Sequence, residues 1–248
     1  MLGPDDGVVV REKSRQRTGR PKVPASAPNR FQLNRTADHP ALRGHPDGMS
    51  PTGGERETER CDKTMGGHHL ILGTLRDFIT GEVLEDTHDE RYRQKIARLL
   101  VEEKGYAKAE IRSRLPLVVA AGERKGRLFV DFTVSVDGRV TMVVKYGPGS
   151  LVTRYRPGIA ISRLVASYQV PVVVVTNGES ADILDGLSGK WRASGFDRIP
   201  SREALQQQVT PASFPAISPR RAEMEARIVY AFEIDGGCPC DDTACRIA

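Results

Sequence analysis

No apolar run in the 248 residues reaches the roughly 18 needed to cross a bilayer. One of the longer ones, Val170 to Val175, carries Pro171 and fits a buried strand. Met1 to Arg20 has no apolar core of a secretory signal, being crowded with Asp, Glu, Lys and Arg. Both absences point to a soluble, cytoplasmic chain with no membrane partner, whose four cysteines are expected to be reduced unless they hold a metal. The Gly-Lys-Ser/Thr ending of a phosphate-binding loop is missing, which excludes a nucleotide motor of that kind. No strained Ser elbow supports Ser-His-Asp catalysis, and no internal repeat is evident. Aromatics are only 6% of the chain, so base stacking has little support, and any nucleic-acid binding is expected to run through phosphates and to be salt-sensitive.

Acids are also missing locally. From Gly138 to Gly178 there is none, while Arg139, Lys145, Arg154, Arg156 and Arg163 all occur. That asymmetry says more than the net charge of +5, because residues 1–64 hold 12 Lys and Arg against 9 acids and the rest of the chain holds 25 against 23.

What is present falls into four segments. Residues 1–64 carry Pro, Gly, Arg and Asn without periodicity and read as a disordered arm, or as a non-native extension ahead of a start at Met65. Residues 65–85 form a lead-in to a domain over 86–195. There Thr87-His-Asp-Glu90 has the spacing of a capping box, and Tyr92, Ile96 and Leu99 share a face of a helix that Gly105 stops near Lys104. A strand over Ile111 to Val119 follows, with Pro116 suited to a sheet edge. Asp137-Gly138 between β-rich runs marks a tight hairpin. Pro157 fits the first turn of a helix through Ile161, Leu164, Val165 and Tyr168, and Val170 to Val175 then reads as a central strand. After Thr176-Asn177-Gly178, Ala181 to Leu184 is a further short strand. Residues 196–248 read as a helical appendage: a short helix after Ser201, a second opened by Ser218-Pro219 with Met224, Ile228 and Phe232 on its face, and a cysteine-rich tail.

The hairpin holds the most informative pair, Asp131 and Lys145. A two-residue turn pairs Val136 with Arg139, which sets Asp131 opposite Val144 and leaves Lys145 on the other face unless a bulge intervenes. Asp131 is either a buried carboxylate in an ion pair or a metal ligand. Glu90 is either the cap of its helix or a catalytic acid. Gly147, Gly149, Ser150 and Thr153, with Arg154 and Arg156, either cradle a phosphate at a helix start or form an ordinary turn. Cys238, Cys240 and Cys245 have spacing open to zinc or an iron–sulfur cluster, with Cys61, His68 or His69 as a fourth ligand, or they are plain reactive thiols.

Taken together, Asp89-Glu90-Arg91-Tyr92-Arg93-Gln94, Val130-Asp131-Phe132, Val136-Asp137-Gly138 and Val173 to Gly178 resemble the N-terminal nuclease domain of type I restriction enzyme R subunits, over about 86–190. The resemblance implies an α/β, PD-(D/E)xK restriction-endonuclease-like fold: an α-β-β-β-α-β core with a mixed sheet. It also implies a restriction-modification role with DNA as ligand, a protein partner supplying specificity, and Mg²⁺ held by the hairpin Asp and a Glu two residues before a Lys. Asp131 matches the first acid. The second half departs from the pattern, because with Lys145 as the motif lysine the Glu position is Val143, and aligned without gaps Lys145 and Gly147 fall on the Glu and Lys positions. A hard dication wants several oxygen ligands, and Glu90 is the acid able to substitute.

Three functions follow as expectations. The first is a nucleic-acid-binding protein with a degraded or altered nuclease centre. The second is an active Mg²⁺-dependent DNA endonuclease using Asp131, Lys145 and Glu90. The third is a non-enzymatic interaction module with a metal-binding cysteine tail.

Overall fold

The chain is described by a computed structural model over residues 70–236 and 244–247. The expectations for residues 1–64, His68, His69, Cys61, Cys238 and Cys240 lie outside the described residues. The segment expected as a lead-in contains a small antiparallel hairpin, β1 (Thr74–Arg76) and β2 (Val83–Glu85). Helix α1 (His88–Arg98) starts as its sequence requires, with the Thr87 hydroxyl accepting from the Glu90 amide at 3.1 Å. It continues as a π-helical turn, Leu99–Glu103, closed by the Lys104 amide on the Leu99 carbonyl. Gly105 then ends it in the left-handed region, φ 77°.

Strand β3 (Ile111–Ala121) runs along the edge of the main sheet, the position that suits Pro116. Strands β4 (Arg124–Val136) and β5 (Arg139–Tyr146) form the expected hairpin, with Asp137 and Gly138 at φ 51° and 75°, the left-handed pair a two-residue turn demands. Helix α2 (Val152–Leu164) begins earlier than expected, and Pro157 sits inside it rather than in its first turn. Gly158 lets α2 lie close on the sheet, since a methyl group there would stand 3.0 Å from Val175. Strand β6 (Val172–Thr176) is buried along its whole length between β5, to which it is parallel, and β7 (Ala181–Asp185). Burying each of its valines is worth about 1.5–3 kcal/mol. Strand β8 (Trp191–Ser194), which the sequence did not suggest, closes the far edge.

Helix α3 (Arg202–Val209) is capped by Ser201, and helix α4 (Pro219–Val229) by Ser218 with Pro219 at its start; a π-helical stretch, Tyr230–Asp235, extends α4. Strand β9 (Ala244–Ile247) pairs with Lys125–Leu128 of β4. The sheet therefore has seven strands in the order β3-β4-β5-β6-β7-β8, with β9 beside β4, and it is mixed. The order helix, strand, hairpin, helix, strand read from the sequence is the order found.

The C-terminal residues depart from the expected appendage. Ala226, Val229, Tyr230 and Ile234 share one core cluster with Leu128, Val130, Val143 and Ile161, so this segment completes one side of the sheet. Its inward face is not the expected one, because Met224 and Phe232 are exposed while Glu225, Val229 and Glu233, at four-residue spacing, turn inward. Two acids lie on the buried face, and apolar periodicity cannot register such a face. On the other side α1 and α3 cover Phe132, Val134, Met142, Val144 and Val174.

Candidate functional site: a buried ion-pair cluster

Asp131 lies where these two sides meet. Val130 packs in the α2–α4 cluster and Phe132 in the α1 cluster, although strict alternation puts both on one side. The break coincides with Arg114, whose φ of 52° interrupts the β3 ladder between the pairs Ser113–Phe132 and Leu115–Val130. On the other flank a β-bulge decides the register. Ser135 pairs with Val140 but Val134 pairs with Met142, so Thr141 is an extra residue on β5. Every later pair shifts by one, Phe132 faces Val144, and the next rung sets Asp131 beside Lys145. The condition that the sequence left open is met.

Asp131 Oδ1 accepts from Arg93 Nε of α1 at 2.7 Å, and Oδ2 accepts from the Tyr146 amide at 3.0 Å and from Lys145 Nζ at 3.3 Å. Lys145 also ion-pairs with Glu233 Oε2 at 3.1 Å, a contact brought by the extension of α4. Glu90 is turned inward as well. Its Oε1 accepts from Gln94 Nε2 at 2.8 Å, while Oε2 takes a close hydrogen bond from Arg114 Nη2 and lies 3.6 Å from Arg93 Nη1. The capping box is thus half made: the Thr87 hydroxyl caps the helix, but the Glu90 carboxylate serves the cluster. Gln94 in turn donates to Asp77 Oδ2 at 3.2 Å and accepts from the Phe78 amide at 2.6 Å, which ties the β1–β2 hairpin to the same group.

Three carboxylates, Glu90, Asp131 and Glu233, meet three cations, Arg93, Arg114 and Lys145. All but Arg114 are buried. Burial alone pushes the Asp131 carboxyl up, but Lys145, Arg93 and the Tyr146 amide overcome it and hold the group below its ordinary value. Burial alone lowers the Lys145 ammonium, and Asp131 with Glu233 reverses that, raising it above the usual lysine value. Tyr146 stacks on Tyr92 with ring centroids 6.0 Å apart, lies under the Arg93 guanidinium, and donates its hydroxyl to Asp89 Oδ1 at 2.9 Å. Burial and Asp89 raise its phenol.

The loop after β5 is internally bonded. The Gly147 amide donates to Thr176 O, Arg154 folds over Gly147 and donates to Pro148 O, Asn177 donates to Gly149 O, and the Thr153 hydroxyl donates to Ser150 O. Arg156 is drawn away from it, with Nη1 2.6 Å from Glu225 Oε2. At the other end of the chain, Cys245 is disulfide-bonded, contrary to the expectation of reduced thiols, so its sulfur is not a free thiolate. Among the described residues no three His, Cys, Asp or Glu side chains converge as a metal-ligating group.

Sequence reasoning missed Arg93, Arg114 and Glu233. Arg93 was legible in principle, three residues after Glu90 and therefore on its face of the helix. Glu233 had no local signal, because its partner is far away in the chain.

Residues 88–200 match the family model described as type I restriction enzyme R protein N terminus. The match takes in Glu90, Arg93, Arg114, Asp131 and Lys145 and stops short of Glu233. No curated protein and no solved structure matches the chain.

Proposed function

Because residues 88–200 match the family model described as type I restriction enzyme R protein N terminus, we propose that the chain binds DNA through its backbone phosphates without cleaving it, its nuclease centre having become a neutral ion-pair cluster on a restriction-endonuclease-like core. The order α1-β3-β4-β5-α2-β6 supports that core. The carrying observation is the occupancy of Asp131, whose two oxygens are taken by Arg93, Lys145 and the Tyr146 amide.

Mg²⁺ needs near-octahedral oxygen ligation, and the residues present do not fit it. The position two before Lys145 is Val143, buried among apolar side chains, and each carboxylate of the cluster already faces a cation. The Arg93 guanidinium stands between Glu90 and Asp131, at the place where a shared dication is needed. Exposed Arg112, Lys125 and Arg139, which ion-pair with no acid among the described residues, supply charge for phosphate contacts. A partner protein then supplies sequence specificity.

Incubation of the full chain with supercoiled and single-stranded DNA, with Mg²⁺ or Mn²⁺, beside an Asp131→Asn variant, tests this. Binding that weakens steeply with salt, without cleavage, is the expected result. Cleavage that disappears in the variant overturns it in favour of an active endonuclease. Absence of both binding and cleavage overturns it in favour of an interaction module.

A further inference from the structure

A second buried ion-pair cluster lies between α2 and α4. Glu225 has no exposed surface, and three guanidiniums reach it: Arg163 Nη1 and Arg221 Nε on Oε1, at 2.8 and 2.6 Å, and Arg156 Nη1 beside Oε2. Arg163 is itself only 6% exposed. Its Nη2 donates to the Leu187 carbonyl at 2.9 Å, and its Nε is buried without a partner.

Two clefts share Arg163 and Arg221 of this group in their lining. One, of about 430 Å³, is lined by Arg163, Ser218, Arg220 and Arg221 among others. The second, of about 290 Å³, is lined by Tyr155, Arg156, Arg163, Ser188 and Arg221 among others. Four arginines line the pair of clefts and no acid does. Arg220 ion-pairs with no acid among the described residues, and the first turn of α4 contains no acid. Among the described residues Glu225 is therefore the one acid ion-paired with these arginines, and it reaches three of the four. Holding a guanidinium as deeply as Arg163 with a fraction of one carboxylate is costly, and an anion in the clefts offsets that cost.

We propose that these clefts form a binding site for a phosphoryl anion, gripped by Arg220 and Arg221 and backed by Arg163. Arginine forks match the oxygens of a phosphoryl group, and a multivalent anion meets the surplus charge better than a chloride ion does. The acid-free N-terminus of α4 favours the same charge. The phosphoryl group is either free phosphate or a phosphate of a nucleic-acid backbone. The site is separate from the Asp131 cluster and does not rest on the reading of that cluster.

The full chain and an Arg220→Gln/Arg221→Gln double variant are titrated with inorganic phosphate at constant ionic strength, followed by phosphorus NMR, and with a short DNA duplex at several salt concentrations. Glu225 keeps Arg156 and Arg163 in the variant, so the fold stands, which urea unfolding checks. Saturable phosphate binding that weakens about tenfold or more in the variant is expected, since a charge-assisted contact is lost with each arginine. If duplex affinity falls in parallel and its salt slope drops by about two, at about 0.9 per phosphate contact, the source is the nucleic-acid backbone. If only the phosphate ion is affected, the source is free phosphate. Phosphate binding no tighter than chloride, or unchanged in the variant, overturns the proposal, and duplex binding that persists in that case leaves the DNA-binding reading standing.

Discussion

The Asp131 and Glu225 clusters use the same chemistry, a buried carboxylate among guanidinium and ammonium groups, and arrive at opposite balances. Around Asp131, cations are shared between acids: Arg93 lies between Asp131 and Glu90, and Lys145 between Asp131 and Glu233. Each charge is met, and the group is closed off by α1 on one side and the α4 extension on the other. Around Glu225 one acid is shared between cations, and two clefts lead to the remainder. The proposed anion site is therefore the cluster whose partners leave a surplus of positive charge. The cluster with the motif residues is the saturated one, and the cluster without a motif is the one with charge to spare.

Removing the central acid of each gives the largest expected contrast. Asp131→Ala leaves Arg93 and Lys145 buried without their shared partner and is expected to cost about 3–5 kcal/mol. Glu225→Ala is expected to cost less, about 1–3 kcal/mol, because Arg156 and Arg221 are roughly half exposed and swing into water, which leaves Arg163 as the one buried cation stripped of its acid and still bonded to the Leu187 carbonyl. Urea unfolding of both variants measures the difference, and equal losses break the distinction between a closed and an open cluster. Next in size is the link across chain ends: a double-mutant cycle of Lys145→Met and Glu233→Gln is expected to give a coupling of about 0.5–3 kcal/mol. Additive losses would remove Glu233 from the cluster.

How far the sequence showed each region follows from the range of the interactions. The Thr87 cap, the Gly105 stop and the Asp137-Gly138 turn are set by a few consecutive residues, and the structure places all three as read. The Asp131–Lys145 rung was open, because a single inserted residue reverses the facing of a strand and nothing local announces the bulge at Thr141. Arg156 and Lys145 stood out as basic residues in an acid-free stretch, yet Glu225 and Glu233 answer them from α4 and its extension, far along the chain. Charge balance in this protein is a tertiary property. Counting charge along a segment therefore suggested a basic surface at Lys145, Arg156 and Arg163, where the fold makes ion pairs.

The pH response sharpens the comparison. Asp131 and Glu225 are both held below their ordinary values: burial pushes each up, and Lys145 and Arg93 in one case, Arg156, Arg221 and Arg163 in the other, more than reverse it. Their contribution to stability is complete above the unfolded carboxyl values of about 3.9–4.3 and is lost as pH falls through the lower folded values. Lys145 behaves oppositely. Its contribution is complete below the unfolded lysine value of about 10.4 and is lost as pH rises through its raised folded value. The urea midpoint is expected to be nearly flat from about pH 5 to pH 10, and Asp131→Asn is expected to flatten part of the acid limb while the share due to Glu225 remains. An acid limb unchanged by that substitution would show that Asp131 is not held by its cations.

The smallest expected effect is also the most discriminating. Arg221 makes its contact with Glu225 one helical turn away, its side chain is half exposed, and Arg156 and Arg163 stay in place without it. Arg221→Gln is therefore expected to cost less than about 1 kcal/mol, as exposed pairs do. Arg93→Gln, in a buried side chain that joins two acids, is expected to cost several times as much. Unfolding of both variants in phosphate-free buffer makes the measurement, because a bound anion stabilises the wild type alone and inflates the apparent cost at Arg221. A small loss without phosphate that grows when phosphate is added is the behaviour of a cation held ready for a ligand. A large loss independent of phosphate would make Arg221 a structural partner like Arg93, and the Glu225 cluster as closed as the one around Asp131.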